Sequence, residues 1–386
     1  MQIVNWQCNF TEHQLHTWVA LQSLLDDPII HIIAKTTGGA RSNQNWSTID
    51  LSSMNVIHFG GKNWLRKGIH ILRQYPDAIH VFGGFWADRR FILLIMLSIF
   101  LKIPAVVMNE PYSIESVGYL RNSRRIGNQI KVYLRPLLYK IVALVIRTLA
   151  SPNRFCMLAL SSQAVDQLIK AGFEPDQTFP FGYFVPKLKC TNKKRQSVQS
   201  CFRFVFVGSL IQRKGLDIAV AAIEDSYAGG LPVYLDVFGP GDPDEYIDPA
   251  SKCVAYKGVI PFGQAQAVIM DYDALILPSL HDGWGVVVNE GLLQGIPAIV
   301  SSNVGAKCLL EQSGAGLVFK NGDQQSLKDN IAVFIKESTL RNQMKYKAES
   351  LAELITPENA AKYLFKVLQS YFFSRCEPPV EIWRLP

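Results

Sequence analysis

Short apolar runs alternate with longer amphipathic stretches along almost the whole 386-residue chain, and this alternation limits the fold more than any other feature. In the first half, strands are expected at Ile29–Ala34, Asn55–Phe59, Ala78–Phe82, Ala105–Asn109 and Cys156–Leu160. Helices are expected between several of them, including Phe85–Leu101 and Gln163–Ala171. In the second half, strands are expected at Arg203–Val207, Val233–Phe238, Cys253–Tyr256, Ala274–Leu277, Ala298–Val300 and Gly316–Phe319, followed by a helical tail over 326–372. Repeated strand–helix units of this kind are parallel sheets covered by helices on both faces. No Gly-X-Y period, sustained heptad or internal repeat is present, which excludes collagen, coiled coils and solenoids.

The pattern breaks once. Pro186–Cys201 is polar, basic and short of apolar residues, and reads as a linker. The expected organisation is an N-terminal domain over 1–188, a linker over 189–201 and a C-terminal domain over 202–370. A tail over 371–386 is expected to pack back on the first domain. A chain of 386 residues is too long for one ordinary core and suits two. The fold class is therefore α/β, with two Rossmann-like doubly wound domains facing a central cleft. Ligands of such sheets bind beyond the carboxyl ends of the strands.

Composition narrows the partners. Residues 1–189 hold 20 Lys and Arg against 11 Asp and Glu, while the remainder holds 19 against 21. A basic half suggests an anionic surface partner. With no zinc motif or RNA-binding signature, nucleic acid is not expected. The seven cysteines form no CxxC pair, which fits a reducing compartment. The start lacks a signal-peptide pattern, so a cytoplasmic location is expected. The unbroken apolar run at 91–101 is eleven residues, short of the roughly 20 needed to span a bilayer. It reads as a buried helix leading into a strand at Pro104.

Two segments carry the chemistry. In V-F-V-G-S-L-I-Q-R-K-G, 205–215, a strand ends at Gly208 and a loop bearing Arg213 and Lys214 enters a helix near Leu216. Free N–H groups, the positive helix end and two cations suit a diphosphate; a solvated turn is the alternative. In P-S-L-H-D-G-W-G-V-V-V-N-E, 278–290, a strand leads through Asp282 to a helix that begins near Gly285 and carries Glu290. Both carboxylates can then face one pocket, and the N–H groups of the first turn can hold an anion.

Residues 204–320 resemble the donor domain of the retaining nucleotide-sugar glycosyltransferases of family four, which have the GT-B fold. Their frame, P-S-x-x-E-x-F-G-x-x-x-x-E, is matched at 278–290, with Asp282 for the first Glu and Trp284 for the Phe. The segments G-x-L-x-x-x-K-G at 208–215, F-G-P-G at 238–241, K-G-V-I-P at 257–261 and Ser302–Ala306 are also similar, in the same order. Residues 160–185 are similar, more loosely, to the end of the acceptor domain. Two departures stand out. The first loop, Cys8–His13, lacks a glycine pair, and Ser209 stands where many members carry arginine.

The resemblance implies roles for Asp282, Glu290 and Lys214 in catalysis. Lys214 with Arg213 would neutralise the departing diphosphate. Glu290 would accept from the ribose hydroxyls, and Asp282 from donor-sugar hydroxyls near the anomeric carbon. Gly208, Gly239, Gly283, Trp284, Gly285 and Val286 would approach the donor through backbone. Lys257, Val259 and Ile260 would border the base. A helix-capping role is the alternative for Asp282.

No metal and no cofactor are expected, the nucleotide-sugar being a substrate. The D-x-D pairs Asp271–Asp273 and Asp242–Asp244 lie respectively before a strand and in a Pro/Gly loop, and no cluster has ligand spacing. On the acceptor side, His13 and Glu110 are the candidate contacts, a structural histidine being the alternative for the first. Between Glu115 and Asp166 there is no acidic residue, and basic and apolar residues interleave over 119–154. This suits peripheral contact with anionic lipid on the cytoplasmic face, or a helix packed on its own sheet. The expected activity is transfer of a sugar from a UDP- or GDP-sugar to a hydroxyl of a glycan or lipid-linked glycan, in surface polysaccharide or glycolipid synthesis. A nucleotide-sugar epimerase or a non-catalytic partner subunit of the same fold are the alternatives.

Overall fold

A computed structural model describes residues 1–34, 51–52, 54–113, 126–189, 201–261, 263–374, 377 and 379–383. The chain divides into two compact units. The first takes Met1–Ile114, Lys131–Phe184 and Pro357–Glu381; the second takes Glu115–Ile130, Val185–Thr356 and Ile382–Pro386. The return to the first unit thus begins at Pro357, ahead of the expected 371, and the last residues go back to the second.

The first unit contains β1 (Ile3–Gln7), α1 (Glu12–Gln22), β2 (Ile30–Ile33), β3 (Asn55–His58), α2 (Trp64–Gln74), β4 (Ile79–Phe82), α3 (Arg89–Phe100), β5 (Ala105–Asn109), α4 (Ile126–Leu149) from Lys131 on, β6 (Phe155–Leu160), α5 (Ser162–Ala171) and β7 (Thr178–Phe181). Its strands are parallel in the order β3-β2-β1-β4-β5-β6-β7. The order reverses between β1 and β4, so the loops after these strands diverge and leave a crevice at their carboxyl ends.

The second unit contains β8 (Phe202–Val207), α6 (Leu216–Ala228), β9 (Val233–Phe238), β10 (Val254–Tyr256), α7 (Ala265–Ile269), β11 (Ala274–Leu277), α8 (Val286–Leu293), β12 (Ala298–Ser301), α9 (Lys307–Ser313), β13 (Gly316–Phe319), α10 (Gln324–Lys336) and α11 (Ser338–Ala352). Its sheet, order β10-β9-β8-β11-β12-β13, is also parallel and reverses between β8 and β11. Then α12 (Pro357–Gln369) packs on α1 in the first unit. The helical tail expected over 326–372 is thus broken into separate helices.

Two strands, β1 and β7, are not apparent from sequence pattern. In β1 the polar Asn5 and Gln7 interrupt the apolar run, yet all five positions are buried. Their polar groups are satisfied locally: Gln7 Nε2 donates to Asn5 Oδ1 at 2.9 Å, and Asn5 Nδ2 lies 3.0 Å from His31 Nδ1 on the neighbouring strand.

The run at 91–101 makes up most of α3 and its C-terminal cap, and only one side of it is buried. Phe91, Leu94, Ile95 and Ile99 are buried, while Leu93 and Phe100 are exposed. Asp88 caps this helix, accepting from the Arg90 amide at 2.9 Å. Among the described residues, no helix is long and apolar enough to cross a membrane.

Candidate functional site

In the second unit, the loop after β8 and the loop after β11 leave adjacent strands at the point where strand order reverses. They are stitched together. Lys214 Nζ lies 2.5 Å from Asp282 Oδ2, Arg213 Nη1 donates to the His281 carbonyl at 2.7 Å, and the Leu280 amide donates to the Arg213 carbonyl at 2.9 Å. The Lys214 and Asp282 side chains are 16% and 14% exposed, so the pair is shielded yet still reaches solvent.

The charge state of this pair follows from its surroundings. Burial alone raises the Asp282 carboxyl, but the Lys214 and Arg213 cations, with the Lys214 hydrogen bond, outweigh it and hold Asp282 below its ordinary value. Asp282 is ionised at neutral pH, and two cations sit beside it. An anionic ligand entering here meets a site already supplied with positive charge.

Backbone geometry keeps the two loops close. Gly215 has φ +64°, and a Cβ there would collide with the Pro278 carbonyl at the end of β11. Gly285 has φ +91° and caps α8, where a Cβ would crowd Leu277 and Val304. The third loop, after β12, also ties in: the Asp282 amide donates to the Asn303 carbonyl at 3.1 Å, and the Gly305 amide to the Asp282 carbonyl at 3.0 Å.

The other candidates surround this core along one edge of the sheet. Gly208 ends β8, and Gly239 follows β9, donating from its amide to the Gly258 carbonyl at 2.9 Å. Lys257, Val259 and Ile260 follow β10; Lys257 and Val259 are exposed. Lys257 Nζ lies 3.7 Å from Asp236, a carboxylate that also takes Arg203 at 2.7 Å. Glu290 is on α8, partly exposed, and Gly283 and Val286 are partly exposed around its start. Trp284 differs from its neighbours, since its indole is buried and donates to Asn289 Oδ1 at 2.8 Å. Its side chain is scaffold, and its carbonyl accepts from the Ala306 amide at 2.7 Å.

Sequence reasoning missed the support behind Trp284. Trp383, near the end of the chain, packs on it with ring centroids 5.9 Å apart and is itself buried. No local pattern signals this contact, because a single tryptophan in a terminal segment has no periodicity.

Of the D-x-D pairs, Asp271–Asp273 lies away from this site, whereas Asp242–Asp244 sits in the loop after β9 that also carries Gly239. Asp273 accepts from the Arg203 amide at 2.8 Å, at the amino ends of β11 and β8, opposite the loops that carry Lys214 and Asp282. Asp242 accepts from the Asp244 amide at 3.1 Å in an exposed loop. Among the described residues, no group of three or more His, Cys, Asp or Glu could hold a metal ion.

In the first unit, a cavity of about 370 Å³ opens at the carboxyl ends of β1, β4 and β5. Both acceptor candidates line it. His13 Nε2 lies 3.0 Å from Thr11 Oγ1, and its ring rests on Tyr183 with centroids 4.7 Å apart. The Tyr183 hydroxyl donates to Glu110 Oε1 at 2.7 Å, so Tyr183 bridges two residues almost a hundred positions apart in sequence.

Of the basic amphipathic stretch 119–154, Tyr119, Arg121, Arg124 and Arg125 lie outside the described residues. Within the rest, Ile126–Leu149 forms α4, which has a buried face and an exposed one. Val132, Tyr139, Val142, Ala143 and Ile146 are buried, whereas Tyr133, Leu134, Leu137, Leu138, Ile141 and Leu144 are exposed. Tyr133 is the extreme, at 74%.

Comparison with known proteins agrees with this architecture. Residues 191–351 match the family described as glycosyl transferases group 1. AmsK of Erwinia amylovora, an amylovoran biosynthesis glycosyltransferase, is 26% identical over 35% of this chain and 36% of its own. WcaL of Salmonella typhimurium is 22% identical over 55% of this chain, so the match spans 56% of that relative's length. Among solved structures, HepE of Anabaena in complex with UDP and glucose superposes with a TM-score of 0.66 at 15% identity, over 96% of this chain and 100% of that one. The two parallel-sheet, Rossmann-like units are those of the GT-B fold.

Proposed function

We propose, from the match of residues 191–351 to the glycosyl transferases group 1 family, that this protein moves a sugar from a nucleotide-sugar to an acceptor hydroxyl. The observation that carries the reading is the Lys214–Asp282 pair at the β8/β11 reversal, with Arg213 beside it and Glu290 on the following helix. A UDP- or GDP-sugar is the donor class. The diphosphate lies against Lys214 and Arg213, the ribose hydroxyls donate to Glu290, and Asp282 accepts from a sugar hydroxyl. Lys257, Val259 and Ile260 border the base. The HepE complex with UDP and glucose, on the same fold, supports the UDP alternative.

Chemically, the bond from the anomeric carbon to the diphosphate oxygen breaks while the acceptor oxygen bonds to the same carbon. Configuration is retained by attack on the face the diphosphate leaves. The acceptor proton passes to the departing phosphate oxygen. Charge that develops on that phosphate is stabilised by Lys214 and Arg213, cations already in place before the reaction. No metal is assigned to this task, and activity should persist in excess EDTA. Loss restored only by Mn²⁺ or Mg²⁺ would contradict it.

The acceptor is a glycan or lipid-linked glycan of a surface polysaccharide or glycolipid. AmsK, an amylovoran biosynthesis enzyme, supports this class. The exposed apolar side chains of α4, with Arg135, Lys140 and Arg147 among them, suit peripheral contact with anionic lipid on the cytoplasmic face. Flotation with vesicles containing phosphatidylglycerol should recover the protein, and vesicles of phosphatidylcholine alone should not.

The first test is thermal shift with UDP, GDP, ADP and CMP, because a ligand that binds only the folded state raises its melting temperature. A clear shift with UDP or GDP that disappears in Lys214→Ala is expected. No shift with any nucleotide would count against the assignment, and donor consumption without acceptor would favour an epimerase.

A further inference from the structure

The cavity in the first unit has one feature that neither His13 nor Glu110 accounts for. Arg135, on α4, lines it and is partly buried, yet among the described residues it makes no ion pair or hydrogen bond. Its counterpart in the same unit behaves differently: Arg90 is satisfied by Asp88, at 2.6 Å, and by the Ala34 carbonyl. Keeping a guanidinium partly out of water without a partner costs free energy, and the cost is recovered when an anion arrives. Its planar fork matches two oxygens of a phosphate at once.

The walls around Arg135 suit a sugar. Tyr112 and Tyr139 stack with centroids 4.7 Å apart, and Trp86, 45% exposed, stands edge-on to Tyr139 at 6.3 Å. Polar groups sit among these rings: Tyr139 donates to Asn109 Oδ1 at 2.9 Å, and Glu110 lies next in sequence. A volume of about 370 Å³ falls within the range of small-ligand sites. Arg135 is also the point where the cavity meets the exposed apolar face of α4, since Leu134 and Leu138 flank it and point outward.

We infer that this cavity takes an acceptor bearing a phosphate next to its sugar, and that Arg135 binds that phosphate. The inference rests on reading the first unit as the acceptor side. It makes Arg135 a specificity residue: the sugar occupies the aromatic and amide walls, and the phosphate holds it at the cavity edge. The phosphate belongs either to a lipid carrier, whose chain would continue along the apolar face of α4, or to a soluble phosphoglycan.

Calorimetric titration with glucose 1-phosphate, galactose 1-phosphate and their methyl glycosides tests this. At least one sugar phosphate is expected to bind tenfold or more tightly than its methyl glycoside. Arg135→Ala should abolish that preference, and Arg135→Lys should keep part of it. Because Arg135 has no partner to lose among the described residues, the alanine variant should melt within a few degrees of the parent. A preference absent from the parent, surviving in Arg135→Ala, or lost in Lys214→Ala instead would overturn the inference. UDP binding by the same samples reads the donor assignment separately and should fall with Lys214→Ala but not with Arg135→Ala. Once the preference is established, competition by farnesyl phosphate assigns it to a lipid carrier, and no competition assigns it to a soluble phosphoglycan.

Discussion

Lys214 and Asp282, 68 positions apart in the chain, meet at 2.5 Å because the strands before them, β8 and β11, are hydrogen-bonded neighbours. The pair is the electrostatic centre of the candidate donor site. Removing either member leaves the other shielded without its counter-charge, so the two substitutions should not be additive.

Lys214→Ala is expected to lower turnover by about 100-fold or more, the scale for losing one preorganised group at a developing charge. Asp282→Asn should also lose most activity. Single-turnover rates at saturating donor are the measurement. Asp282 sits below its ordinary value of 3.8, so its contribution to stability is present above that pH and is lost only as pH falls through the lower folded value. The candidate donor site should therefore show no acid limb from Asp282 between pH 5 and 8.

Glu290→Gln is expected to act on donor binding. Hydrogen bonds to a charged acceptor contribute about 1.5–3 kcal/mol, which corresponds to roughly 10- to 100-fold in donor affinity. UDP or GDP titration against the variant reads this directly. Unchanged affinity would remove Glu290 from the ribose role.

Trp383→Ala should destabilise the second unit by about 3–5 kcal/mol, the usual cost of truncating a buried aromatic. Because Trp383 packs on Trp284, whose backbone joins Asp282 to Gly285, the variant should also weaken nucleotide binding. Trp383→Phe should recover most of both. Urea unfolding monitored by fluorescence, with nucleotide titration alongside, separates the two effects.

His31 and His80 make the first unit acid-sensitive. Burial lowers both from 6.5 to about 4. For His80 the neutral ring fills every slot: Nδ1 accepts from Trp6 Nε1 at 3.0 Å, and Nε2 donates to the Tyr75 carbonyl at 2.9 Å. A base whose folded value is depressed contributes stability above its unfolded value, and that contribution is lost as pH falls from 6.5 towards 4. At pH 5 the loss is about 2 kcal/mol for each histidine by linkage. The urea midpoint should fall between pH 7 and pH 5, and less so in His80→Phe.

The loops of the candidate site are legible in the sequence because their chemistry is local. Gly208, Arg213 and Lys214 follow one apolar run, and Asp282, Gly285 and Glu290 follow another, each at the spacing that a strand, a tight loop and a helix N-terminus require. Strand β1 is not legible in the same way, since Asn5 and Gln7 look like a polar interruption until His31 is beside them. Nor is the end of the second domain, expected at 370, whereas α12 already belongs to the first unit, packed on α1. Nothing within α12 itself names the surface its apolar face covers.

Sequence by itself determined the strand–helix alternation, the two parallel sheets and the residue types at the carboxyl ends of the strands, because periodicity and turn chemistry act over a few residues. Only tertiary structure decided which of those residues meet. Strand order put β8 beside β11 and joined Lys214 to Asp282. It brought Tyr183 between His13 and Glu110, set Arg135 at the edge of the cavity, and buried Trp383 on Trp284. These contacts depend on which elements become neighbours, and that is fixed by burial of whole sheet faces rather than by any short stretch of chain.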